Sequence, residues 1–287
     1  MPAPKGFEEL VALAAKDRPA QAKTLEEMWE KFLFVVFMGG KRSEPEIHFI
    51  IGMLASRGLV GLQDVLKKSG EDWREEAGAL VTERLQRIKD PEIAAMLKEF
   101  RKDLFRTSSS IKGAARFFEK LSPEKFSAEL GTKERTWEFI ESLAKNEDVA
   151  NIKYTKIIIW LHSIGLGYDF CPPSWHTKKF INSEVGPYYQ FYEDDMYFMR
   201  KAGEFAEEVK KKVKGAATRD VAMAIYYYMS LKNSLPPRSA IKKKCTPAAI
   251  VKFLRKRKLS LAGLSAALGD FEGREGIMEQ FNEFMEK

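Results

Sequence analysis

The chain has 287 residues, 45% hydrophobic and 31% charged. That globular balance excludes a disordered polymer and leaves room for one large domain or two modest ones. A net charge of +7 and a pI near 9.1 permit a polyanionic partner without demonstrating one. The two cysteines, Cys171 and Cys245, have no CxxC spacing and no clustered histidines. Zinc, iron–sulfur and disulfide frameworks are therefore not indicated, and no metal or cofactor is expected. No basic-then-apolar leader opens the sequence, and runs such as "FLFVVFMGG" and "IIIWLHSIGLG" are too short to span a bilayer. The expectation is a cytoplasmic protein that engages no membrane. Abundant Lys and Glu with scarce Gln resemble the bias of heat-adapted proteins.

In chain order, almost every segment reads as helix. "TLEEMWEKFLFVVFM" opens at Thr24 with Glu27 three positions on, the spacing of a capping box. "SEPEIHFIIGMLASRG" repeats that grammar, with Ser43 as cap, Pro45 in the first turn and Gly58 as stop. "DWREEAGALVTERLQRI" follows, and Asp90-Pro91 marks the start of "DPEIAAMLKEFRKDLF". "SIKGAARFFEKL", "TKERTWEFIESLA", "TKIIIWLHSIG", "DDMYFMRKAGEFAEEVKKKV", "TRDVAMAIYYYMSL" and "GREGIMEQFNEFMEK" bring the count to about ten helices. No alternating, β-branched stretch with hairpin turns occurs, and no fixed-period repeat emerges, so the chain is predicted to be all-α.

Breaks are predicted at Tyr168–Pro173, at Glu184–Tyr189 and at Asn233–Ser239. The last is taken as the boundary between a helical core, residues 1–235, and a basic C-terminal appendage, 236–287, that contains "AIKKKCTPAAIVKFLRKRKLSLAGL". A solvated helix face is an equal account of that charge run.

The chemistry centres on "KYTKIIIWLHSIGLGYDFCPPSWHTKKF", Lys153 to Phe180, where Lys156 heads the most apolar helical run in the chain. Burial against "IIIW" disfavours an ammonium, and a first-turn position adds the opposing helix dipole. Both lower a lysine pKa from its usual value near 10.4 and favour a nucleophilic amine. A lysine whose stem lies on the helix while its head reaches water is the competing reading. Trp160 reads as core or as pocket wall, His176 as a local hydrogen-bonding residue or a ligand contact. Ser174 reads as an N-cap of "WHTKKFI", and Cys171 as a small buried hydrophobe.

The pattern "TKIIIWLHSIG…PPSWHTKKFI" resembles the core of the helix-hairpin-helix DNA glycosylases, in particular the archaeal-type 8-oxoguanine glycosylase/lyase branches. Those proteins are all-α, with a hairpin leading into a helix that carries a catalytic lysine near its start. A proline-bearing loop, an aspartate, a spacer and a histidine follow. Thr155-Lys156 matches the lysine pair, Pro172 and Pro173 the loop, and His176 with Lys178-Lys179-Phe180 the start of the next helix. Upstream, "FRTSSSIKGAARFFEKL" resembles the helix before the hairpin, and "GAATRDVAMAIYYYMSL" the closing helix, so the resemblance runs from Lys31 to Leu231. It implies a lesion site between two helical lobes.

Two departures stand out. The hairpin "VANIKYTK" has no glycine where the family's backbone amides approach a phosphate. Ser174 stands at the aspartate's position, which leaves Asp169 as the nearest substitute carboxylate and Glu193, Asp194 and Asp195 as more remote ones.

The resemblance implies removal of a damaged purine from double-stranded DNA: oxidised guanine first, hypoxanthine or another deaminated or alkylated purine second. Lys156 would be the nucleophile of an associated strand-nicking lyase step. Tyr168, Phe170, Trp160 and Trp175 are candidate walls for the extruded base. Lys153, His176, Lys178, Lys179, Lys112 and Arg219 are candidate DNA contacts. A monomer is the default expectation. The competing functions are a catalytically silent DNA-binding protein of the same fold, a glycosylase that works through water, and an unrelated all-α interaction protein.

Overall fold

The computed structural model describes residues 3–38, 42–186, 194–236 and 239–287. Among them are seventeen α-helices, one π-helical turn and no strand. The all-α expectation holds. The count exceeds ten in part because helices of five to seven residues, such as Leu62–Lys67, Pro123–Glu129 and Ala240–Lys244, are too short to show a period in the sequence. No helix of the described residues is long and apolar enough to cross a membrane. Residues 187–189 of one expected break, Glu193, and Pro237 of another lie outside the described residues.

The chain forms two compact units. The second, Gln21–Leu166, is continuous, and the first combines Met1–Ala20 with Gly167–Lys287.

In the second unit the capping signals act as their chemistry dictates. Thr24 accepts from the Glu27 amide at 3.1 Å while Glu27 accepts from the Thr24 amide at 3.3 Å, starting α2 (Leu25–Phe37). Glu46 reaches back to the Ser43 amide at 2.5 Å to start α3 (Glu44–Ala55), and Gly58, at φ 64°, turns the chain away after it. Asp90 accepts two amides at the head of α6 (Pro91–Lys102).

The core of this unit is aromatic. The Trp160 ring meets Phe32 at 5.0 Å and Phe118 at 5.6 Å, both edge-on, and stacks on Phe126 at 5.6 Å. Burying each such side chain contributes about 1.5–3 kcal/mol. Trp29 and Trp73 donate their indole N–H groups to the carbonyls of Val60 and Leu59, at 2.7 and 2.8 Å, pinning the turn between α3 and α4 (Leu62–Lys67).

The first unit is built around α13 (Thr218–Ser234), against which α1 (Phe7–Lys16), α11 (Trp175–Phe180), α12 (Asp195–Lys210) and α17 (Phe271–Glu286) pack. Phe7 stacks on Phe180 at 5.2 Å and meets Phe205 edge-on at 5.4 Å. Arg18 donates to the fully buried Asp220 carboxylate at 3.0 Å, and Asp220 caps the Ala217 amide at 2.7 Å.

The C-terminal residues belong to this core and are not an appendage. Phe253 on α15 (Pro247–Arg257) meets Phe281 at 5.2 Å, and the Ala248 amide donates to the Lys5 carbonyl at 3.1 Å. Gly6, at φ 81°, lies so close to Ala248 that a β-carbon there would fall 2.6 Å from its backbone. Residues on both sides of Asn233–Ser239 belong to one unit, and the basic residues of α15 alternate with the buried Ile250, Val251 and Leu254.

Candidate active site

Helices α9 (Lys133–Lys145) and α10 (Tyr154–Ser163) are joined by a tight connection, residues 146–153, giving a helix–hairpin–helix within the second unit. Asn151 takes φ 64° in that turn. Asparagine is the side-chain-bearing residue that best tolerates this left-handed region, so the turn forms without a glycine. The hairpin is fastened to α7 (Leu104–Glu119) at three points. Ser110 donates to the Ala150 carbonyl at 2.7 Å, the Asn151 amide nitrogen donates to Ser110 at 3.3 Å, and Gly113 lies against the Asp148 backbone. Lys153 donates to the Ala144 carbonyl at 2.7 Å and so closes the end of α9. Helix α10 has no side-chain cap and no acidic residue in its first turn, so its amide dipoles meet no neutralising group from its own sequence.

Lys156 is the third residue of α10. It is partly buried and, among the described residues, has no hydrogen-bond or ion-pair partner. Burial, reinforced by the charges of Arg42 and Arg106, lowers its pKa to about 8. At neutral pH its amine is therefore uncharged in about a tenth of molecules, against about one in several thousand for an ordinary lysine. Arg42 is held by the Asp103 carboxylate and lies 5.6 Å from the Phe100 ring. Arg106 is exposed.

Beside Arg106, Phe105 is 69% exposed, with the Arg74 guanidinium 5.7 Å from its ring centre. The sequence reading assigned no role to Arg42, Phe105 or Arg106. An aromatic next to an arginine at the start of "FRTSSS", on the face opposite the buried Thr107, Ser110 and Ile111, was the available signal.

The other expected site residues divide by unit. Trp160 is core of the second unit, wholly enclosed, its indole N–H donated to the Met28 carbonyl at 3.0 Å, so it is no pocket wall. Lys112 is no phosphate contact: its ammonium bonds the carbonyls of Val65 at 2.8 Å, Leu66 at 3.2 Å and Lys68, closing the end of α4.

In the first unit, Arg219 is buried and donates to the Ala14 carbonyl at 3.2 Å and to Asp220, which leaves it structural. Lys178 pairs with Asp195 at 2.6 Å. Ser174 caps α11, accepting from the Thr177 amide at 3.2 Å. Tyr168 donates to the Pro19 carbonyl at 3.1 Å with Arg18 over its ring, and Phe170 is nearly buried. Asp169 is exposed and, among the described residues, unpartnered. Asp194 caps α12 through the Tyr197 amide at 2.8 Å.

His176, Lys179 and Trp175 do come together. The Lys179 ammonium lies 4.5 Å from the Trp175 ring centre and 2.7 Å from the Asn233 side-chain oxygen. Burial, then Lys179 and Arg274, push His176 down to about 4, so it is neutral at physiological pH and offers a hydrogen bond rather than a charge.

Both cysteines are free and buried, Cys171 pushed up to about 12 and Cys245 to about 11 by burial, and neither is a nucleophile at neutral pH. No three His, Cys, Asp or Glu among the described residues are placed to hold a metal ion. Compared with known proteins, the chain matches no family model, no curated protein and no solved structure.

Proposed function

We propose that this protein is a DNA glycosylase of base-excision repair that removes a damaged purine from double-stranded DNA, with Lys156 as an amine nucleophile. The observation that carries this reading is the partly buried, unpartnered Lys156 with a pKa near 8, in the first turn of a helix that follows a hairpin. The lone pair of its Nζ forms a bond to C1′ of the damaged nucleotide. The glycosidic bond breaks, its electron pair leaves with the base, and the base takes up a proton. Opening of the sugar gives a Schiff base between Lys156 and the deoxyribose, from which the 3′ phosphate is eliminated once a C2′ proton is lost. Arg42 and Arg106 supply positive charge near the departing base and the phosphates. Oxidised guanine is the leading substrate, and hypoxanthine or another deaminated or alkylated purine the second.

Ser174, occupied as a helix cap, offers no carboxylate, and this favours a second reading: a protein of the same class that binds DNA without cleaving it, or that works through water with Asp169 as base. One experiment separates them. Wild type and Lys156→Gln are incubated with borohydride on duplexes carrying oxoguanine, hypoxanthine, uracil or an abasic site. A covalent adduct from wild type alone is the expected result. Base release with no adduct selects the water route, and neither release nor adduct on any duplex overturns the enzyme reading.

A further inference from the structure

The first unit carries a second convergence of cations, beside the Lys232–Glu184 ion pair. Lys179 and Lys242 approach one another near the end of α13, close enough that Lys242 and Lys232 help to depress the Lys179 ammonium after burial. Lys232 is already neutralised by Glu184 at 2.6 Å. Among the described residues Lys179 and Lys242 have only neutral acceptors, the Asn233 side-chain oxygen at 2.7 Å and the Leu235 carbonyl at 3.3 Å. Arg274 has no ion-pair partner among the described residues and stands near enough to His176 to perturb it. The Asn233 side-chain nitrogen is buried beside this group with its N–H donors unused. Trp175, 54% exposed, presents one ring face to Lys179 and extends into solvent. Like charges held together with spare donors are costly unless an anion joins them, and an exposed indole beside them offers a stacking face.

We infer that this face binds one unpaired nucleotide of a nucleic-acid strand, with its base stacked on Trp175 and its phosphate between Lys179 and Lys242. A base that stacks on a side chain has left its own helical stack, and such platforms accept any base because every base has a flat face. The site lies wholly in the first unit and does not depend on Lys156 being a nucleophile.

The test uses full-length protein and a fluorescein-labelled oligothymidylate of twelve nucleotides, followed by anisotropy over a salt series. Wild type is expected to bind, Trp175→Ala to bind about 5- to 100-fold more weakly, and Trp175→Phe to keep most of the affinity. Lys179→Gln and Lys242→Gln should each lower the slope of log affinity against log salt by about 0.7. Far-ultraviolet circular dichroism establishes that each variant is folded.

Unchanged affinity in Trp175→Ala overturns the stacking assignment, as does an unlabelled duplex that competes equally through the same residues. Thymidine monophosphate that competes as well as the oligonucleotide overturns the strand assignment in favour of a free nucleotide. Borohydride trapping on an abasic duplex, run in parallel, reports on Lys156 alone, so failure of either reading is seen independently of the other.

Discussion

Gly113 on α7 and Asp148 in the hairpin meet backbone to backbone: a β-carbon on Gly113 would fall 1.5 Å from the Asp148 carbonyl oxygen. Neither partner is a flexible side-chain tip, so any larger residue must move the hairpin or the helix. Gly113→Ala is expected to cost about 3 kcal/mol or more in denaturant unfolding and to lower adduct formation by shifting the start of α10. Gly203→Ala on α12, where nothing lies within 4 Å, is the control, and it should be neutral or stabilising by about 0.5–1 kcal/mol. Equal stability of the two variants would show that the hairpin is not seated on Gly113.

The pH dependence of trapping follows from the state of the amine. Attack requires the neutral form, and the Lys156 pKa is lowered to about 8. Adduct formation on an abasic duplex should rise about tenfold per pH unit below that value and level off above it. A profile still climbing steeply between pH 9 and 10 would mean an ordinary, solvated lysine.

The same shift carries a stability signature. Between about pH 8 and the ordinary lysine value of 10.5, the unfolded chain holds the proton that the folded chain has lost, so stability climbs with pH across that window. Below it the full cost of burying the ammonium is present. Lys156→Gln should therefore be more stable than wild type at pH 7, by about 1–2 kcal/mol after allowance for solvent screening, and should lose the climb. Thermal unfolding of the two proteins at pH 7 and pH 10 checks the sign.

Phe105 has almost no packing to lose. Phe105→Ala is expected to change stability by less than about 0.5 kcal/mol and, on the proposed DNA-binding reading, to weaken duplex binding about 5-fold or more through loss of an exposed ring beside Arg106. Unaltered affinity would assign that exposure to another partner.

Lys112 should behave in the opposite way. Its ammonium closes the end of α4 on three carbonyls. Lys112→Met should cost about 2 kcal/mol of stability and leave the salt dependence of DNA binding unchanged. A slope reduced by one phosphate contact would restore Lys112 to the interface.

The contrast between Lys112 and Lys156 shows what a sequence carries. Local chemistry was legible: the caps at Thr24, Asp90 and Ser174 involve partners two to three residues away and form as their spacing dictates, while at Ser43 it is Glu46 that reaches back to the backbone amide. The perturbed lysine was legible in the apolar run that it heads, but the charges of Arg42 and Arg106 that add to the shift come from distant segments. Lys112 meets carbonyls 44 to 47 residues earlier, and Arg219 meets one 205 residues earlier. Neither contact leaves a mark in the neighbouring sequence, so both read as free cations. Asn151 was hidden for a different reason. An asparagine in a polar turn has many ordinary uses, and only its φ shows that it takes a conformation glycine favours. Trp160 was ambiguous because an enclosed indole and a pocket indole sit in the same apolar run, and the donated N–H to Met28 decides between them.

The first unit gathers both ends of the chain around α13, whereas the second is one uninterrupted segment. During synthesis, residues 21–166 leave the ribosome as one uninterrupted stretch. The N-terminal helix meanwhile emerges with its hydrophobic face bare, because Phe180, Phe205 and the residues of α15 that cover it have yet to be translated. The hairpin unit therefore reaches its native form first on the nascent chain. The early, sticky face of α1 is the part of the molecule that a chaperone would have to shield until α15 is made.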